Sequence, residues 1–169
     1  MSQLSSSSFD ATLMVRDAQG RYLPATADQI LEAARKVVEQ KMLRGVPFTS
    51  PAEVKEYLIA RLAGLEHEVF AVIYLDAQHR VLDYVEMFRG TVSQTSVYPR
   101  EVVKHALSRN SSALLLVHNH PSGSAEPSRA DEHLTQTLKS ALSLVDVRVI
   151  DHLIVAGPTI LSFAERGLI

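Results

Sequence analysis

Two histidines two residues apart, His118 and His120, are followed by Ser128 and Asp131 in HNHPSGSAEPSRAD. Imidazole and carboxylate are the donors of a hydrolytic zinc site, and three such ligands leave a fourth position for water. Seven histidines among 169 residues make a lone His-x-His unsurprising. Adding a serine and an aspartate at the observed offsets lowers the chance of coincidence to on the order of one in a thousand. Each residue also has a plain structural reading. Ser128-x-x-Asp131 is a good helix N-cap with an acid at its third position, and Pro121 and Gly123 are ordinary turn residues. Four separate coincidences are needed on that view, where one metal ion explains the set.

The elements that must carry these residues are legible. Ala113 to His118 is almost wholly apolar, as expected of a central strand covered on both faces. Period-two alternation puts His118 and His120 on one face with Asn119 opposite. Pro121-Ser122-Gly123 turns the chain sharply. A long helix then starts at Ser128 and runs to about Leu144, with Asp131 in its first turn, where the helix dipole favours an ionised carboxylate.

Elsewhere, residues 1–8 are Ser-rich and read as a disordered tail. A short strand over residues 10–16 and a turn at 17–20 lead to a capping box, Thr26 to Gln29. An amphipathic helix follows, with Ile30, Ala34, Val37, Val38 and Met42 at helical spacing and Gly45 as its stop. Residues 9–47 are thus a strand–helix extension, and residues 48–169 the main domain. Ser50 to Glu53 opens a second helix, to about Ala63. Strands are expected over 68–75 and 81–88, with residues 90–92 continuing the sheet. A helix begins at Tyr98-Pro99 with Val102, Val103, Ala106 and Leu107 on one face. Strands at 147–150, 153–156 and 160–163 complete the chain. Helices alternate with strands and hairpins, so the fold class is α/β, a mixed sheet with helices on both faces.

Composition narrows the function. A net charge of −2 does not suit a dedicated nucleic-acid binder. No apolar run approaches the length of a membrane span, and the N-terminal decapeptide lacks the charged and apolar regions of a signal peptide. The absence of cysteine excludes disulfides, thiolate ligands and a Cys nucleophile. A cytoplasmic location is the expectation, and a sheet edge or the 9–47 extension is a candidate surface for a homodimer.

His118-x-His120-x7-Ser128-x2-Asp131 is similar to the signature of the JAMM (MPN-plus) zinc metalloproteases, which include deubiquitinating isopeptidases. HNHPSG followed by PSRAD, with GTVSQTSVYPREVVKHAL upstream and VRVIDHLIV and SFAERG downstream, resembles the bacterial RadC family over residues 48–169. Residues 1–47 do not resemble the helix-hairpin-helix region that commonly precedes this domain in RadC proteins. The resemblance implies an MPN/JAMM domain with cytidine-deaminase-like layering. It also implies one zinc ion per chain on His118, His120 and Asp131, with Ser128 helping to hold an oxyanion. The family's glutamate, the proton acceptor for a zinc-activated water, matches Glu68 best; Glu101 and Glu86 compete. The implied activity is cleavage of a peptide or isopeptide bond in a peptide or protein substrate. The alternative is a DNA-repair or DNA-transaction protein, because the RadC name is attached to repair. A zinc deaminase would need H-x-E and P-C-x-x-C, and a non-catalytic scaffold would have lost its ligands. Among the other histidines, His67 is expected to point away from the site and His152 to lie in the core or behind the metal. His105 and His133 are expected to be exposed, and His79 to sit in a turn. A triad hydrolase built on Asp151-His152 lacks the G-x-S-x-G elbow.

Overall fold

The structure, a computed structural model, describes residues 13–41, 51–90 and 97–169. A short hairpin, β1 (Met14–Arg16) and β2 (Tyr22–Pro24), precedes helix α1 (Ala27–Lys41). The main domain runs α2 (Pro51–Leu62), β3 (Val69–Leu75), β4 (Val81–Arg89), α3 (Pro99–Ser108), β5 (Ala113–Asn119), α4 (Arg129–Ser143), β6 (Arg148–Ala156), β7 (Thr159–Ser162) and α5 (Phe163–Arg166). Its five strands lie in the order β4-β3-β5-β6-β7, parallel only between β5 and β6. The chain is therefore α/β with a mixed sheet, and helix α4 makes the crossover that a parallel pair requires.

Two apolar layers follow from strict alternation along β3 and β5. Val69, Ala71 and Ile73, with Ala113 and Val117, pack against Val54, Leu58 and Leu62 of α2. Phe70, Val72 and Tyr74, with Leu114 and Leu116, pack against Val102 and Ala106 of α3 and Leu138 and Leu142 of α4. Helices thus cover both faces, and β3 is buried along its whole length. Each fully buried Leu or Phe contributes about 1.5–3 kcal/mol relative to exposure. Continuing past Leu114 and Leu116, His118 falls on the α3/α4 face.

Several expectations need correcting. Tyr22–Pro24, a stretch to which the sequence assigns no element, forms β2. The strands expected at 147–150 and 153–156 are one strand, β6; Asp151 interrupts the apolar run without breaking it, because its carboxylate is used internally. Oδ2 accepts the Ser162 hydroxyl at 2.6 Å, and Oδ1 accepts the Ala164 N–H at 2.9 Å. Leu107 is 56% exposed, so the inward face of α3 is narrower than its apolar spacing suggests. The Thr26–Gln29 capping box forms, with Gln29 Oε1 accepting the Thr26 N–H at 2.9 Å. The apolar stripe of α1 stays exposed at Ile30 and Val37. Residues 1–12, including the Ser-rich segment, the Gly45 stop, the Ser50 cap and residues 91–92 of the expected continuation of the sheet lie outside the described residues.

Candidate metal centre

His118 ends the apolar part of β5 on the α3/α4 face, His120 follows two residues later, and Asp131 comes from the first turn of α4. Their ligand atoms all lie within 4.8 Å of one another, the one such group of three among the described residues. His118 Nε2 stands 2.9 Å from His120 Nε2 and 3.2 Å from Asp131 Oδ1; His120 Nε2 is 3.7 Å from Asp131 Oδ2. Donors at zinc–ligand distances in a tetrahedron stand about 3.3 Å apart. The three observed separations straddle that value.

The hydrogen-bond network decides which nitrogens carry protons. The Asp131 carbonyl can only accept, so the Thr135 hydroxyl donates to it at 2.6 Å. That leaves the Thr135 oxygen as acceptor for His152, whose Nδ1–H donates to it at 2.6 Å. Burial keeps His152 neutral, pushing its pKa well below 6.5, with the neighbouring His118 acting in the same direction. Neutral His152 then has a bare Nε2, which accepts from His118 Nδ1–H at 2.8 Å. His120 reaches the same state independently, donating Nδ1–H to the Ser124 carbonyl at 2.7 Å. With Nδ1 of each ring turned to a protein acceptor, His118 and His120 both direct Nε2 to one point, 2.9 Å apart and facing a carboxylate. Such an arrangement calls for a cation, and a borderline metal ion suits two imidazoles and a carboxylate.

Asp131 is prepared as a ligand. Burial by itself would raise its pKa, but hydrogen bonding and charge from His118 and two hydrogen bonds from Ser128 outweigh that and hold it well below the usual carboxylate range. Ser128 and Asp131 form a reciprocal capping box. Ser128 Oγ accepts the Asp131 N–H at 3.2 Å, and Asp131 Oδ2 accepts the Ser128 N–H at 2.7 Å and its hydroxyl at 2.6 Å. Asp131 thus belongs to both the cap and the candidate ligand set, so the two readings of Ser-x-x-Asp are not alternatives.

Glu68 immediately precedes β3 and is half-buried. The antiparallel register pairs Phe70 with His118. Continued by two residues, it sets Glu68 across from His120, on the face that holds His118. Glu86 pairs with Ala71, on the α2 face, where its Oε1 accepts from Arg61 at 3.2 Å. Glu101, in the first turn of α3, lies 3.8 Å from Lys104.

His152 is fully buried, edge-on to Phe70 and hydrogen-bonded to His118. His133 is exposed, and His79 sits in the turn with φ of 58°. His105, expected to be exposed, is half-buried and stacked on Tyr74, because it lies on the flank of α3 that faces β3. His67 Nδ1 is 3.3 Å from the Arg89 guanidinium. Two residues have uses that the motif did not reveal. Thr135 lies one helical turn beyond Asp131, a spacing that could have flagged it. Asn119 sits between the histidines.

Against known proteins, the model of the family described as RadC-like JAB domain matches residues 48–168. The chain belongs to the RadC-like JAB domain family. Relatives named UPF0758 protein include one from Leptothrix cholodnii, 58% identical over 140 residues, covering 83% of this chain and 63% of the relative. Another, from Vibrio cholerae, is 55% identical over 139 residues, covering 82% of this chain and 87% of the relative. A third, from Verminephrobacter eiseniae, is 59% identical over 140 residues and covers 59% of that protein. The chain therefore spans about 63% of the length of the Leptothrix relative. Membership in the RadC-like JAB family points to the JAMM-type metal-dependent hydrolases, with which the His118, His120 and Asp131 group is compatible. Among the described residues, no helix is long and apolar enough to cross a membrane.

Proposed function

We propose that this RadC-like domain is a zinc-dependent hydrolase of amide bonds, peptide or isopeptide, with one zinc ion held by His118, His120 and Asp131. The observation that carries this reading is the pair of Nε2 atoms converging on an ionised carboxylate, each imidazole locked from behind by a protein acceptor. When bound, zinc supplies Lewis-acid activation of water and of the scissile carbonyl.

The chain's own groups supply the rest. Glu68, across the sheet from His120, takes the proton of the attacking water on its carboxylate and returns it to the leaving amine. Ser128 has one hydroxyl proton, given to Asp131 Oδ2 in this structure. In the reaction that hydroxyl turns from the carboxylate to the developing oxyanion, where one such donor is typically worth about 3 kcal/mol. Thr135 and His152 keep His118 in its ligand tautomer throughout.

The test begins with elemental analysis of protein reconstituted after chelation, expected to give one zinc per chain. Wild type and Glu68→Gln are then compared on a panel of peptide and isopeptide substrates. Glu68→Gln is expected to retain zinc and to lose cleavage. Failure to take up zinc sinks the site, and full activity in Glu68→Gln removes Glu68 as the base and turns attention to Glu101.

A further inference from the structure

Asn119 sits between the two histidines, is 2% exposed, and is absorbed by neither metal nor cap. Its amide reaches across to the start of β3. Oδ1 accepts the Val69 N–H at 2.8 Å, and Nδ2–H donates to the His67 carbonyl at 3.0 Å. Those two groups belong to the two peptides flanking the Glu68 α-carbon. The backbone pairing between β3 and β5 ends at Phe70 and His118. Where the ladder stops, one side chain continues it, offering a donor and an acceptor in a single plane as a peptide would. The Glu68 carbonyl is held from the other side, accepting the Gly90 N–H at 2.8 Å.

We propose that Asn119 is a positioning residue that fixes the backbone of Glu68 relative to the histidine pair. The proposal rests on Glu68 being the base, as set out above. Glu68 stands outside the strand proper, where the chain would otherwise be free to shift. Its carboxylate must reach one place beside two ligands carried by the neighbouring strand. An amide lying between those ligands in sequence ties their strand to the peptides of the base, so that His118, His120 and Glu68 move as one unit. Only an asparagine-like group satisfies both partners. Aspartate keeps the acceptor for Val69 but turns a second oxygen toward the His67 carbonyl, and serine is too short to span both.

The test uses the zinc-loaded protein and two variants, Asn119→Ala and Asn119→Asp, each made with and without Glu68→Gln. Amide exchange followed by NMR gives the first readout. In Asn119→Ala the Val69 amide is expected to exchange at least about tenfold faster, with Ile73 unchanged, because only the former loses its acceptor. Zinc content is expected to stay at the wild-type value. Turnover of a quenched-fluorescent peptide library is the second readout. The expected loss is in kcat, on the order of 100-fold with KM little changed, as for a displaced catalytic group. In the Glu68→Gln background the same substitution is expected to cost nothing further. Asn119→Asp, which retains the Val69 bond, is expected to protect that amide and to lose less activity, and it serves if the alanine variant does not fold. Unchanged Val69 exchange in Asn119→Ala overturns the clamp. An equal activity loss in both backgrounds shows that Asn119 acts by a route other than Glu68 and overturns the proposal. If Glu68→Gln alone cleaves at the wild-type rate, the assignment of the base has failed, and Val69 exchange still judges the clamp by itself.

Discussion

Replacing Thr135 by valine would cut the chain of hydrogen bonds that sets the proton positions at the metal centre. Valine matches threonine in shape, so packing at this fully buried position changes little. What disappears is the oxygen that accepts from His152 Nδ1–H at 2.6 Å and donates to the Asp131 carbonyl at 2.6 Å. A buried donor left without a partner costs about 1–3 kcal/mol. His152 can avoid that cost by moving its proton to Nε2. Nε2–H then faces His118 Nδ1, which must become the acceptor, leaving Nε2 as the His118 nitrogen that carries a proton. A ligand nitrogen now carries hydrogen where the ion binds. Loss of such a supporting contact typically weakens metal binding 10- to 100-fold, or about 1.4–2.8 kcal/mol. Competition with a chromophoric chelator would measure zinc affinity, and long-range nitrogen–proton NMR would read the tautomers of His118 and His152 directly. Thr135→Val is expected to show both changes, and Thr135→Ser neither. If Thr135→Val binds zinc within about twofold of wild type and His152 remains Nδ1-protonated, the relay is not what sets the site.

Other consequences are testable with simpler tools. Ser128→Ala removes the acceptor for the Asp131 N–H and is expected to destabilise the fold by about 1 kcal/mol, measured by urea unfolding of the metal-free protein. Its turnover is expected to fall by about 100-fold or more, well beyond that stability change. Gly123 has φ of +80°, and a β-carbon at that position would meet nothing within 4 Å, so Gly123→Ala brings backbone strain without a clash. The expected cost is about 1–2 kcal/mol of stability in urea unfolding, with zinc stoichiometry retained. Burial holds the His152 pKa well below 6.5 in the folded state, so the unfolded chain binds the extra proton as pH falls. Stability is therefore expected to drop below pH 6.5 by up to about 1.4 kcal/mol per pH unit from this group. Urea titrations from about pH 7 to about pH 5 should show a shallower slope in His152→Gln; parallel slopes would contradict the assignment.

Much of this architecture is written locally. Apolar alternation along 69–75 and 113–118 specifies two strands buried on both faces, and the Ser128 cap specifies where α4 begins. The two histidines and the aspartate are legible because their spacing crosses a strand end, a Pro-Gly turn and a helix start. Thr135 and Asn119 are not legible in the same way. The role of Thr135 depends on His152, seventeen positions later on another strand, and that of Asn119 on peptides fifty and fifty-two positions earlier. Both are ordinary polar residues until the sheet brings their partners in. Asp151 makes β6 look like two strands, because a charged residue in an apolar run resembles a break until Ser162 and Ala164 are seen to satisfy it. The second strand of the N-terminal hairpin, β2, is three residues long and ends in proline, leaving no alternation to detect.

The shared use of Ser128 and Asp131 has a bearing on how relatives of this domain are compared. A descendant that abandoned metal chemistry would still gain from keeping Ser-x-x-Asp, because its helix would still need a beginning. Selection on folding alone can preserve that half of the signature. Among the described residues no such second occupation holds His120, whose ring reaches a loop carbonyl and the cluster itself. In any survey of the family, the second histidine is therefore the informative letter, and the serine–aspartate pair is the one that can outlive the activity.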